Sequence, residues 1–188
     1  LLLAREGFLR SLALTVSKEP DEPRSTFRGV IITRKDSDIR DVYDLPGRRI
    51  MIVSRKSAGG YRFQKLFLRD KGIEIEKEAD LVEGKRHEEV ALAVYRGEVP
   101  AGFVRESALD VVQDLVDMDQ LRIVARTSYY PNWPFAAHRS TNSQLATEVQ
   151  KALISLRDEG LLGKVGVEGF TEAQQEGLGA LKKQVEFQ

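Results

Sequence analysis

Cysteine is absent from all 188 residues, which excludes disulfides, thiolate metal sites and thiol nucleophiles and leaves the redox compartment undecided. Histidine occurs only twice, so bases for metal or acid–base chemistry are scarce. An excess of either charge is missing too: 29 Lys and Arg offset 29 Asp and Glu. The chain therefore has no global field to draw it onto nucleic acid or an anionic membrane surface, and any ion specificity must be local. Apolar runs are short, GVIIT at 29–33 being typical, and none approaches a bilayer span. No stretch reads as a signal peptide. The opening LLLAREG has no methionine and reads as the end of a helix stopped by Gly7, so the chain is expected to be a processed or excised piece of something longer.

What is present is a composition with 41% hydrophobic residues, enough for a real core in one domain or two small lobes. Periodicity predicts strands at 8–16, 26–35, 48–54, within 73–83, at 99–104 and at 121–127, with a further extended stretch at 134–139. Helices are predicted over 61–71, 85–96, 107–116 and from about Thr141 to Asp158, with a last helix from Thr171 onward; Asp36 to Asp44 reads as a short helix or turn. Strands and helices alternate through the middle, which predicts an α/β layer with mainly parallel sheets.

Two extended segments, TFRGVIITRK (26–35) and SYYPNWPFAAHR (128–139), do not fit one compact lobe. Between them lies a self-contained alternating unit. That order predicts residues 1–34 as a partial first lobe with the first hinge strand, 35–128 as the second lobe, and 129–188 as a second crossing and return. Such a two-lobed chain with a double-strand hinge would take its ligand in the cleft between lobes.

Within the middle unit, SRKSAGGYRF (54–63) joins a strand to a helix through Ser57, Ala58, Gly59, Gly60 and Tyr61. The first N–H groups of a helix have no intrahelical acceptor and can hold an anion, and glycine lets the backbone approach a ligand closely. The same pattern also makes an ordinary tight turn. His87 stands in the first turn of its helix, where the dipole disfavours imidazolium and a neutral ring can donate to an anion; the alternative is a surface histidine. Lys85 and Arg86 add local positive charge or form a solvated face. Arg105 follows a strand at the end where α/β clefts form, suited to a bidentate oxyanion contact or to a surface pair. Asn132 is a candidate polar contact, the neighbouring Tyr129, Tyr130 and Trp133 are expected to brace the crossing, and His138 is read as structural.

An enzyme is not expected. No His/Asp/Glu cluster has metal spacing, and no Gly-x-Ser-x-Gly, Walker or dinucleotide glycine pattern is present, so neither cofactor nor metal is predicted.

Several motifs in order resemble a known family. Arg34-Lys35-Asp36-Ser37, Asp44-Leu45-Pro46-Gly47, Ser57-Ala58-Gly59-Gly60-Tyr61, Gly84-Lys85-Arg86-His87, Ala93-Val94-Tyr95-Arg96-Gly97 and Pro131-Asn132-Trp133-Pro134 together resemble the phosphonate-binding, PhnD-like periplasmic type 2 solute-binding proteins over about 26–170. The Gly-Gly turn and the Tyr-Pro-x-Trp-Pro crossing look more like the PhnD-like ectodomains of bacterial sensor kinases. The resemblance implies a type 2 periplasmic-binding-protein fold with an incomplete first lobe. It further implies a periplasmic location and a small anionic solute as ligand, phosphonate or another oxyanion. It supports Ser57, Ala58, Gly59, Gly60, Tyr61 and His87 as binding residues, to which the residue reading adds Arg105 and Asn132. A sensor kinase or an ABC permease would be the protein partner, nucleic acid is not expected, and self-association into a dimer stays open. A ligand-free interaction domain is the reading from a different class, motivated by Ala58 and Gly59 standing where hydroxyl side chains are usual.

Overall fold

The computed structural model describes residues 9–20 and 24–173. They form two units: one comprises the described residues up to Phe27 together with those from Tyr130, and the other runs from Arg28 to Tyr129. The chain thus passes from unit to unit twice. The sequence-based boundary at 34/35 falls just after the strand Gly29–Arg34, whereas that whole strand pairs on both edges with strands of the second unit, which begins at Arg28.

In unit 2 the strands are β3 (Gly29–Arg34), β4 (Arg49–Ile52), β5 (Asp80–Glu83), β6 (Ala101–Arg105) and β7 (Leu121–Arg126), in the spatial order β5-β4-β6-β3-β7. The β4–β5 and β4–β6 pairs are parallel, as crossover helices require. The β3–β6 and β3–β7 pairs are antiparallel, so the sheet is mixed rather than mainly parallel. The cause lies in the connectivity. One strand brings the chain in and another takes it out at the same sheet edge, where the Thr127 N–H donates to Gly29 O at 2.9 Å, so the two must run in opposite directions.

Helices cover both faces of this sheet. Period-two alternation sends Val30 and Ile32 to one face, with Val90 and Val94 of α3 (His87–Tyr95) and Leu109 and Val112 of α4 (Ala108–Val112). It sends Ile31, Ile50, Ile52 and Phe103 to the other, with Leu68 of α1 (Phe63–Arg69) and Ile75 of α2 (Ile75–Glu78). Each such fully buried aliphatic side chain contributes about 1.5–3 kcal/mol. Residues 75–78, read from sequence with the strand that follows, turn helical before β5.

Unit 1 holds β1 (Leu9–Val16), β2 (Thr26–Phe27), β8 (Tyr130–Pro131), β9 (Pro134–His138) and β10 (Gly169–Glu172). Its sheet, β10-β1-β9, is antiparallel throughout, and β2 pairs antiparallel with β8. The side chain of Asn142 caps α5 (Ser143–Ser155), and Asp158 caps α6 (Glu159–Val165). The helix expected up to Asp158 thus ends at Ser155, and a second helix that the sequence reading does not include starts after Asp158. Thr171 and Glu172 finish β10 rather than begin a helix; the remainder of that expected last helix, and the opening helix end at 1–6, lie outside the described residues.

Candidate functional site

In unit 2, β4, β5, β6 and β7 all end at one sheet edge, the edge where loops of an α/β layer gather. After β4 the chain makes a wide π-type turn, Ala58–Arg62, before α1. Ser57 caps it: its hydroxyl oxygen accepts from the Gly60 N–H at 3.1 Å, which leaves the hydroxyl proton to be donated elsewhere. Arg62 N–H closes onto Ser57 O at 3.0 Å, and Val53 N–H donates to Gly60 O at 3.2 Å. The turn is glycine at 60 because a Cβ there would sit 2.4 Å from Val53 Cγ2. Ala58 and Gly59 lie in the first turn, where helical N–H groups have no intrahelical acceptor.

His87 begins α3 and is half-buried. Its Nδ1 accepts the Arg105 N–H at 3.0 Å, so the neutral ring carries its proton on Nε2. Burial pushes the imidazole below the ordinary histidine value, the nearby Arg105 charge lowers it further, and Glu88 opposes both only in part. A neutral donor is thereby held at the end of β6. Arg105 joins this arrangement through its main chain, a role that its residue type did not suggest.

The turn and the histidine are fastened to the same strand end. Gly84 N–H, following β5, donates to Ile52 O at 2.8 Å, and Gln64 of α1, fully buried, donates from Nε2 to Gly59 O at 2.7 Å and to Val104 O at 3.0 Å. One residue beyond Val104 stands the N–H that holds His87.

Tyr61 is placed differently from the sequence expectation that it lines the site. Its ring is buried with Ile52, Leu68 and Phe103, and its hydroxyl donates to Glu76. Burial and the Glu76 carboxylate both push the phenol pKa up. Lys65, 2.5 Å from Glu76 Oε2, and the Tyr61 hydroxyl hold that carboxyl below its ordinary value. Tyr61 braces the turn from behind. Asn132 belongs to unit 1, where Nδ2 donates to Ser17 Oγ at 2.5 Å and Oδ1 accepts from the Trp133 N–H at 3.0 Å. Its amide orders the second crossing. Trp133 is 66% exposed and does not brace it by burial, whereas Tyr130 is buried.

Sequence reasoning missed a cluster at the same edge of unit 2. Glu106, 4% exposed, accepts from Arg28 Nε and, at 2.7 Å, from Arg126 Nε, while the Arg28 guanidinium lies 4.6 Å from the Tyr129 ring centre. Burial pushes the Glu106 pKa up, but the two guanidinium hydrogen bonds outweigh it and the net shift is downward. Nothing in the sequence pairs residues 28, 106 and 126. Gln64 left no signal either, since Arg62-Phe63-Gln64-Lys65 reads as an ordinary amphipathic stretch.

No helix among the described residues is long and apolar enough to cross a membrane. The model of one protein family, described as the periplasmic substrate-binding protein of phosphonate ABC transporters, matches residues 2–178. The chain is 27% identical over 148 residues to the tetrathionate sensor histidine kinase TtrS of Salmonella typhimurium; that match takes in 67% of the chain and spans 24% of the kinase. Among solved structures it is similar in fold to XAC2383 from Xanthomonas citri bound to ATP, with a TM-score of 0.81 at 18% identity, covering 98% of this chain and 74% of that one. It is similar also to PhnD1 from Prochlorococcus marinus in complex with methylphosphonate, with a TM-score of 0.71 at 14% identity, covering 93% and 70%. These likenesses show the type 2 periplasmic-binding-protein fold. With nearly its whole length matched by the family model, the chain belongs to the phosphonate-binding, PhnD-like family of periplasmic substrate-binding proteins, which bind solutes and are not enzymes.

Proposed function

We propose that the chain is the periplasmic ligand-sensing domain of a membrane signalling protein and takes a small anionic solute at the strand-end edge of unit 2. The observation that carries this reading is the fastening of the Ser57–Gly60 turn, through Gln64, and of the His87 ring, through Nδ1, to one strand end, Val104–Arg105. Every donor in that set is electrically neutral: main-chain N–H groups, one hydroxyl and one imidazole. Such donors suit an oxyanion, whose acceptor-rich surface takes several at once. The sensor kinase relative supports the signalling role. Ligand would shift the sensor only by as much as it binds one state better than the other.

The transporter reading, a solute-binding component delivering phosphonate or a similar oxyanion to an ABC permease, is favoured by the family's own description. The coding sequence beyond Gln188 separates the two. A membrane span followed by a kinase region rejects the transporter, and a stop codon there rejects the sensor.

Binding itself is tested by thermal shift with methylphosphonate, phosphite, sulfate, tetrathionate and simple carboxylates. An anion at roughly a hundred times its Kd stabilises by about 2.7 kcal/mol, a displacement of several degrees. We expect saturable stabilisation by at least one anion, lost in Ser57→Ala and in His87→Ala. A flat response to the whole panel would instead favour a ligand-free interaction domain.

A further inference from the structure

Gln64 makes an arrangement that solute binding alone does not require. Its amide is fully buried, and Nε2 lies 2.7 Å from Gly59 O in the turn, 3.1 Å from Val30 O in β3 and 3.0 Å from Val104 O in β6. Three acceptors thus surround a group with two N–H bonds. On the other side Oε1 is buried and has no hydrogen-bond partner among the described residues. A buried amide left half-satisfied in this way carries a free-energy cost, so its placement needs a compensating role. The backbone also makes room for it: a Cβ on Gly29 would stand 2.4 Å from Nε2.

We infer that Gln64 is the positioning residue of the anion turn, a single amide that pins the Gly59 carbonyl to the strand by which the chain enters unit 2 and to the strand that holds His87. This inference rests on the reading of the Ser57–Gly60 turn as an anion site. Pinning the Gly59 carbonyl toward the sheet fixes the orientation of the Gly59–Gly60 peptide, and with it the direction in which the neighbouring N–H groups point. Displacement of β3 or β6 is passed to the turn through the same amide, and reorientation of the turn is passed back.

The test compares Gln64→Met, which keeps the volume and removes the donor, with Leu68→Ala, which opens the core under the same helix and leaves the amide intact. Amide hydrogen exchange is read without ligand. We expect exchange over residues 57–62 to accelerate roughly tenfold in Gln64→Met, a loss of about 1.4 kcal/mol of local stability, with β4 and β6 unchanged. Leu68→Ala should show no such selectivity. Gly29→Ala, which dislodges the amide without removing it, should reproduce the acceleration and serves if Gln64→Met does not fold. Unchanged exchange in the turn, or the same acceleration in Leu68→Ala, overturns the inference. Titration with methylphosphonate and tetrathionate forms the second arm. Where wild type binds either probe, Gln64→Met should weaken it at least tenfold, and an unchanged Kd overturns the positioning role. Where wild type binds neither, the anion that stabilises it in the thermal-shift panel replaces them as probe; if the whole panel is flat, the anion reading fails, while the exchange result still decides whether Gln64 holds the turn.

Discussion

His87 shows how a single side chain is set to one task. The Arg105 N–H occupies Nδ1, and burial depresses the imidazole pKa, so the ring stays neutral with Nε2–H as donor. A depressed histidine pKa means that the unfolded chain takes up a proton before the folded one. The group therefore opposes folding as pH falls below the ordinary value of 6.5. His87→Gln should lose less stability than wild type between pH 7 and pH 5, read from urea midpoints. Glu106 acts in a lower window. Its folded pKa is depressed, so its contribution is present above the ordinary carboxyl value of 4.5 and is lost as pH falls through the folded value. Glu106→Gln should cost about 1–3 kcal/mol at neutral pH, since two guanidinium groups lose their buried partner and solvent screens the half-exposed Arg126. It should also flatten the acid limb below pH 4.5. A variant as stable as wild type at pH 7 would show that the Arg28–Glu106–Arg126 cluster contributes nothing.

Among the elements, the turn between β4 and α1 is the one whose shape matters most. Gly60 has no room for a methyl group against Val53 and Ser57, so Gly60→Ala must move the turn or the strand end beneath it. We expect a loss of about 1–3 kcal/mol in stability, as for overpacked sites, together with weaker anion binding; unaltered affinity would mean that the turn does not hold the ligand. This element was legible in the sequence, because small residues between an apolar strand and an amphipathic helix have few other structures open to them. So were β1, β4, β6, β7 and α3, whose apolar periods are clean. Strand direction was not. Alternation of strands and helices suggests parallel pairing, but β3 and β7 carry the chain in and out of unit 2 and so pair antiparallel with each other, and β3 is antiparallel to β6 as well. Nor did the sequence reveal that Tyr61 points into the core toward Glu76, since a tyrosine after a glycine turn fits either side of its helix. The Arg28–Glu106–Arg126 cluster joins residues 78 and 20 positions apart, a pairing that only the fold creates.

For the molecule as a whole, family membership and local chemistry point the same way. Zero net charge provides no global field, and the donors of the proposed site gather at one edge of unit 2. The proposed site offers one hydroxyl, that of Ser57, beside its N–H donors, so its test extends beyond phosphonates. The most direct measurement is a titration of the nitrogen-15-labelled chain with methylphosphonate, sulfate and tetrathionate, following amide and imidazole resonances. The account predicts saturable shifts for at least one anion, largest at the N–H groups of Ala58 and Gly59 and at Nε2–H of His87. Saturable binding that leaves those resonances in place, or no saturable shift with these three or with the phosphite and carboxylates of the thermal-shift panel, would contradict it.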